Sequence, residues 1–447
     1  MKAIEMDMTQ GSLLKKIFVF SVPLVITNIL QIMFNMTDSA VVGRFAGYLP
    51  LGSVGSTSQM VFFCSGILIG LGGGVNVLAA ICVGQKNYKD LEVTIRASAF
   101  ACFCIGIALM IFGFALAPSV LRLLNTKEEL IHDAIVYFRI YMISMPFMAM
   151  YYFGNSILSA QGDTRSPLIY LIIAGIVNVI LDLVLVIVFK LSVIGVAVAT
   201  VAAQIVSCAL TLLKIYRVLS KNNFDFKYRQ ISSYKIIQII KIGIPAAMQN
   251  AIFAVANLFV IAAVNSFDSA MVAGNTASMN GENLVYNIMA AFYTAGATFI
   301  GQNLGAHNKK RILNSYFISM GYATILGFVL GIVLYIYGHE FLSLFTSDET
   351  VVSYAMQKFK IMTFSFGISA FMDGTIAANR GLRKTLIPSI MVFLGSCVMR
   401  VVWVFTIFAH FRTVESLFLL YPFSWAITAV FEILYFVVTY RQETKGM

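Results

Sequence analysis

Residues 21–45 read SVPLVITNILQIMFNMTDSAVVGRF, and residues 243–267 read GIPAAMQNAIFAVANLFVIAAVNSF. At an offset of 222, Pro23 falls on Pro245, Asn28 on Asn250, Asn35 on Asn257 and Phe45 on Phe267. Each stretch is one long apolar run, so the repeated unit begins with a helix of membrane-crossing length. Further along, Gly84 and Asn87 match Gly305 and Asn308 at an offset of 221, and Gly162 matches Gly381 at 219. The chain therefore reads as a duplication, with halves 1–218 and 236–447 joined by a polar linker at 219–235.

Twelve runs of membrane-spanning length are expected, at 13–45, 52–83, 92–118, 134–160, 167–189, 193–218, 236–265, 275–304, 312–337, 352–379, 386–408 and 414–440. Composition agrees: 59% of the 447 residues are hydrophobic and 11% charged, with a mean hydropathy of +0.86. A soluble domain carries about 25% charged residues. The apolar runs are uninterrupted, whereas barrel strands alternate, so an all-α integral membrane protein is expected. Six helices per repeat is an even number, so both halves enter the membrane from the same face. Two six-helix bundles then relate by a pseudo-twofold axis along the membrane normal.

Of the 31 Lys and Arg, 22 count with connections on the side of the N-terminus, 8 with those on the other side, and only Arg400 with the interior of a span. This asymmetry places both termini in the cytoplasm. It also assigns the net charge of +11 to the membrane surface and leaves no call for nucleic acid. The six cysteines sit in apolar stretches without paired spacing and read as small buried hydrophobes. Lys15 and Lys16 lead into an apolar run too long for a cleavable signal core, so the first segment is expected to remain as a spanning helix.

An ionised side chain at a helix centre costs at least ~2.5–3.5 kcal/mol, which makes acids inside spans informative. Five qualify: Asp38, Asp182, Glu282, Asp373 and Glu432. Asn178 and Asp182 are four apart and share a helix face. No Lys or Arg lies at mid-depth in the first, second, fifth or sixth span, so Asp38 and Asp182 lack an obvious static partner and are candidate proton carriers. For Asp373, Glu432 and Arg400, a static buried network and a functional role both remain open. Pro23 and Pro245 remove one backbone bond each and mark either hinges or fixed kinks. Leu71–Asn76 (LGGGVN) lacks the lysine of a phosphate loop and reads as small residues for close helix packing. No metal, hydrolase or nucleotide motif is present, so no enzyme, no cofactor and no ATP-driven motor is expected.

The Ser21, Pro23, Asn28, Asp38 run, the Gly84-Gln85 turn, the Gln161-Gly162-Asp163-Thr164-Arg165-Ser166-Pro167 connection and the Asn178, Asp182 pair together resemble the multidrug and toxic compound extrusion (MATE) family over essentially the whole chain. Within it the DinF-like branch is the nearest. That resemblance implies an ion-responsive cluster of Asp38, Asn178 and Asp182 with hydroxyls from Tyr137 and Thr200. In members that use sodium, Asp38, Asn178, Asp182 and Thr200 would hold the ion. A family tyrosine four residues before the helix 1 acid is Phe34 here, which removes one hydroxyl. The NorM-like branch pairs a helix 7 acid with a helix 10 acid. Asp373 is present, but helix 7 offers Gln249, Asn250 and Asn257, so that site is incomplete.

The function expected is secondary antiport of amphipathic organic cations against H+ or Na+ across the plasma (inner) membrane of a prokaryote, by a monomer. Ion arrival at Asp38 and Asp182 would bend helix 1 at Pro23. A cavity in the second half, from Glu282, Asp373, Arg400, Gln249 and Asn250, would meet the substrate. The alternatives are export of a specific metabolite or peptide, for which zwitterions would fit that cavity, and flipping of a lipid-linked precursor. The flippase would need more intramembrane cations than Arg400 alone.

Overall fold

The computed structural model describes residues 6–124, 126–221 and 231–447. Thirteen of its helices run α1 Leu13–Ala46, α2 Tyr48–Gly84, α3 Tyr88–Leu123, α4 Glu128–Met142, α5 Met145–Ala160, α6 Arg165–Val188, α7 Ser192–Lys221, α8 Ser233–Val264, α9 Ser269–Gly305, α10 Lys309–Ile336, α12 Glu349–Gly381, α13 Leu386–Phe411 and α14 Val414–Glu443. A short α11, Gly338–Ser343, follows α10. Eleven of these are long and apolar enough to cross a membrane, and α4 with α5 passes the same test as a pair bent by 44°. The protein is thus an all-helical membrane protein with each expected span on a helix. The run read as one helix at 134–160 is the bent pair: α5 carries Pro146 in its first turn, and the missing amide ends α4's ladder near Ile143 and Ser144.

Duplication is visible in backbone conformation. Left-handed residues recur at Lys86 (φ 55°) and His307 (φ 53°), at Gly162 (φ 92°) and Arg383 (φ 65°), and at Lys190 (φ 54°) and Arg412 (φ 50°). In each half an asparagine then caps the next helix, Asn87 accepting from the amide of Asp90 and Asn308 from that of Arg311. The equivalent of Gly162 is therefore Arg383, not Gly381 as matching glycines suggests. The left-handed requirement falls just past the helix end, whereas Gly381 is still inside α12, where a Cβ would meet the Ala297 carbonyl at 2.8 Å.

Packing divides the chain into two compact units, Met1–Asp7 with Ile26–Ala247, and Met8–Val25 with Met248–Met447. This differs from a cut at the linker, part of which (222–230) lies outside the described residues. The first part of α8 belongs to the first unit and the first part of α1 to the second, and each change of unit comes two residues after a proline, Pro23 or Pro245.

In the first unit, Gly70 and Gly74 let α2 approach α8. A Cβ on Gly70 would lie 2.7 Å from the Ala247 amide nitrogen, and one on Gly74 2.9 Å from the Ile239 carbonyl. The glycine run of α2 is thus a packing surface. Its core centres on Val75, Leu78, Phe138, Met142 and Phe153. In the second unit one core gathers Trp403, Phe408, Leu417 and Phe418, with the Trp403 indole donating to the Ser416 carbonyl at 2.7 Å. Large apolar side chains such as Phe112, Val188, Phe364 and Phe405 face outward, as a lipid solvent allows. Five cysteines are buried and free; Cys104 is free and exposed.

Candidate functional site

The first unit brings together the predicted residues of α1, α6 and α7. Asp38 and Asp182 are buried, Asp182 completely, and Asn178 lies one turn before Asp182 on the same face of α6. The Thr200 hydroxyl of α7 donates to Asp38 Oδ2 at 3.3 Å, shared with its own helix at the Val196 carbonyl, 3.0 Å. Asp182 and Asn178 lie close around the Asp38 carboxylate. Both Asp182 oxygens, Asp38 Oδ1 and Asn178 Nδ2 are buried, and among the described residues their near neighbours are one another. Tyr137, buried on α4, is near both carboxylates.

Local sequence builds this arrangement. Gly175, one turn before Asn178, has no side chain, and the Phe34 ring occupies the space a Cβ would take. Phe34 is thus seated over Gly175, one turn from Asn178. Wide π turns at Val42–Ala46 and Val184–Val188 follow Asp38 and Asp182 within the same helices. Such turns are frequent where a helix is locally re-aimed at a site.

Two carboxylates facing each other in a low-dielectric interior repel, and none of the ion pairs among the described residues supplies a Lys or Arg to either. A proton on one, or a monovalent cation between them, neutralises the pair. The donors are all oxygen, from two carboxylates, an amide and a hydroxyl, which suits a hard cation or a proton. No group of three or more His, Cys, Asp or Glu able to hold a metal occurs among the described residues.

In the second unit each described residue expected in the cavity has its own neighbours. Glu282 on α9 pairs at 3.0 Å with Lys358 on α12, and Lys358 also donates to Asn275 Oδ1 at 2.9 Å beside the Phe418 ring. Arg400 donates to Asn257 Oδ1 at 2.7 Å and lies over the rings of Tyr421 and Phe253 at 4.8 and 5.4 Å. Its direct partners are thus an amide and two aromatics, not the acids. Glu432 accepts from Asn379 at 3.1 Å. Asp373 is half-buried, near Tyr286, Arg380 and Arg400, without an ion pair among the described residues. Gln249 is buried on α8; the side chain of Asn250 lies outside those described.

The MatE family model matches the chain twice, over residues 23–184 and 245–406. The chain belongs to this family, the MATE transporters. Each match begins at one of the paired prolines, Pro23 and Pro245. Among relatives, the probable multidrug resistance protein YpnP of Bacillus subtilis is 26% identical over 391 residues, 87% of each chain. An FAD transporter of Shewanella oneidensis is 26% identical over 344 residues, 75% of each. A crystal structure of MATE in the bent conformation superposes with a TM-score of 0.90 at 18% identity, covering 100% of this chain and 99% of the other, and shows the shared fold.

As a MATE transporter, this chain carries charges that its sequence reading misplaces. Lys358, counted with a connection, is buried on α12 at 1% exposure, so Arg400 is not the lone intramembrane cation. The signal was available, since Lys358 lies inside the expected span 352–379, next to apolar Phe359 and opposite an acid, Glu282, that itself needed a partner.

Proposed function

We propose that this MATE transporter is a secondary active multidrug efflux antiporter that exports amphipathic organic cations in exchange for H+ or Na+. The observation that carries the reading is the buried, cation-free pair Asp38 and Asp182, with Asn178, Thr200 and Tyr137 around it. Ion and drug must favour different states for one to drive the other. A proton or Na+ arriving at Asp38, Asn178, Asp182 and Thr200 relieves the repulsion within the pair, and α1 flexes at Pro23, where its packing changes unit. Pro245 gives α8 the same opportunity. The multidrug names of the relatives support this substrate class, and the pattern follows the DinF-like branch. The same proposal takes it as a monomer in the plasma membrane of a prokaryote with both termini cytoplasmic.

The test is cation-dye efflux from proteoliposomes under an imposed pH or sodium gradient, with Asp38→Asn and Asp182→Asn beside wild type. Loss of gradient-driven efflux in both variants supports the coupling role and the effective gradient names the ion. Either variant exporting at full rate down the gradient would sink it.

A second reading has one observation in its favour. Arg400 and Arg380 flank Asp373, a charge arrangement that suits a zwitterionic or anionic metabolite, and one relative carries the name FAD transporter. Arg400→Ala altering export of such a substrate while leaving cation export intact would favour it.

A further inference from the structure

Duplication sets α8, α13 and α14 against α1, α6 and α7, the helices that carry the acid pair of the first unit. Near the ends of the two halves the register is fixed twice at an offset of 222, by the family matches ending at 184 and 406 and by the left-handed residues Lys190 and Arg412. The turn at Gly162 and Arg383 lies at 221. The additional residue enters at the wide π turn Phe393–Val398 of α13, where α6 is a plain α-helix over the corresponding stretch. At 222, Asp38 falls on Val260, Asp182 on Val404 and Asn178 on Arg400.

Both acids are thus valines in the second half, and Val260 and Val404 pack into one apolar core. The amide is an arginine, 3% exposed. From α13, Arg400 donates through Nη1 to Asn257 Oδ1 of α8 at 2.7 Å, and its guanidinium lies over the Phe253 ring of α8 at 5.4 Å and the Tyr421 ring of α14 at 4.8 Å. Tyr421 adjoins the equivalent of Thr200. The acid in these surroundings is Asp373, which forms no ion pair with Arg400 among the described residues. One covalently held cation therefore joins α8, α13 and α14, whose counterparts α1, α6 and α7 supply Asp38, Asn178 with Asp182, and Thr200.

We propose that Arg400 is the tethered counterpart of the mobile coupling ion, a positioning residue that keeps the second part of α8 on α13 and α14 throughout the cycle. The difference between the halves is dissociation. A proton or Na+ comes and goes with its concentration, whereas a guanidinium fixed to its own helix is charged and present in every state. A hydrogen bond to a charged group and two cation–π contacts hold it there. Pro245 gives α8 the same break that Pro23 gives α1, yet the segment after Pro245 stays attached. Of the two equivalent prolines, only Pro23 precedes a segment whose attachment varies with the ion. The comparison rests on the antiport reading of Asp38 and Asp182, but the hold of Arg400 on α8 can be tested without it.

The experiment is hydrogen–deuterium exchange of the full-length, detergent-purified protein, read over 249–262 of α8 and 27–40 of α1 at two pH values and with or without Na+, corrected for the intrinsic pH dependence of exchange. Exchange in the α1 stretch should change with the ion, and that in the α8 stretch should not. Arg400→Ala should speed α8 exchange about tenfold or more, the loss of one hydrogen bond to a charged group. Methylguanidinium, the missing head as a free ligand, should slow it again in Arg400→Ala, but not in wild type or in Arg400→Met, whose side chain fills the vacated space. That rescue separates a positioned cation from lost packing. Asn257→Ala keeps Arg400 and removes its acceptor, so it should also speed α8 exchange, and it carries the test if Arg400→Ala does not fold. Wild-type α8 exchange in either variant, no rescue by methylguanidinium, or α8 exchange that follows the ion in wild type overturns the assignment. An α1 stretch indifferent to both ions overturns the antiport reading and leaves the hold of Arg400 on α8 standing.

Discussion

The buried pair of Glu282 and Lys358 can be tested as a question of sign. Lys358 is 1% exposed and has three compensating neighbours: the Glu282 carboxylate at 3.0 Å, the Asn275 carbonyl oxygen at 2.9 Å and the Phe418 ring at 5.1 Å. Glu282→Gln keeps the shape but leaves the ammonium with neutral partners only, and an uncompensated buried charge costs about 3–5 kcal/mol. Lys358→Met leaves the carboxylate instead, but the Glu282 side chain is 14% exposed and can draw on solvent, so its cost falls at the lower end, about 3 kcal/mol. Combining both removes both charges and returns stability to within about 1 kcal/mol of wild type. The order expected is therefore wild type and double variant together, then Lys358→Met, then Glu282→Gln. Reversible unfolding in mixed detergent and SDS micelles, run as a double-mutant cycle, gives the coupling. Additive losses in the double variant, or a silent Glu282→Gln, would refute the claim that the pair compensates itself.

Three further outcomes follow from the same reasoning. Thr200→Ala removes the 3.3 Å hydroxyl donor to Asp38, a bond worth about 1 kcal/mol, so the ion concentration for half-maximal dye efflux should shift about fivefold; no shift separates Thr200 from the ion site. Gly175→Ala forces the Phe34 ring out of its notch at a cost of about 1–3 kcal/mol, and Phe34→Ala in the same chain should recover most of it in an unfolding measurement. Gly162→Ala puts a Cβ into a left-handed backbone (φ 92°) and 2.7 Å from the Met6 backbone, so it should cost at least about 1–2 kcal/mol and raise proteolysis of the N-terminal segment.

Much of the fold was written in single residues. Long apolar runs place the spans because lipid forbids unsatisfied backbone, and the matched Pro23 and Pro245 set the repeat at the offset where the family matches begin. Asn178 and Asp182 share a face by helical geometry alone, so their juxtaposition was legible before any tertiary contact. What was illegible depends on tertiary packing. That the first part of α1 packs with the second unit follows from contacts such as Arg311 to Met8, residues far apart in sequence. Glycine identity misled at Gly381 because the repeat conserves a backbone conformation at that turn and not the residue type that adopts it most easily. Lys358 was misplaced because a charge near the end of a span reads as a connection until its partner is known.

The two halves share a backbone plan and differ in how charge is compensated, and that difference bears on mechanism. In the first unit the intramembrane acids Asp38 and Asp182 meet each other and neutral donors. In the second, Glu282 has Lys358 as a fixed countercharge, and Glu432 has the amide of Asn379. A carboxylate with a permanent cation beside it has little to gain from a mobile one, since the arriving ion would meet a pair already neutral. Two carboxylates sharing a site gain the full relief of their repulsion when one proton or one monovalent cation arrives. Under the antiport proposed above, these physical grounds assign coupling by a mobile ion to the pair in the first half. In the second, Asp373 lies near Arg380 and Arg400 without an ion pair among the described residues, and under the proposed function it is the acid left for a substrate to meet.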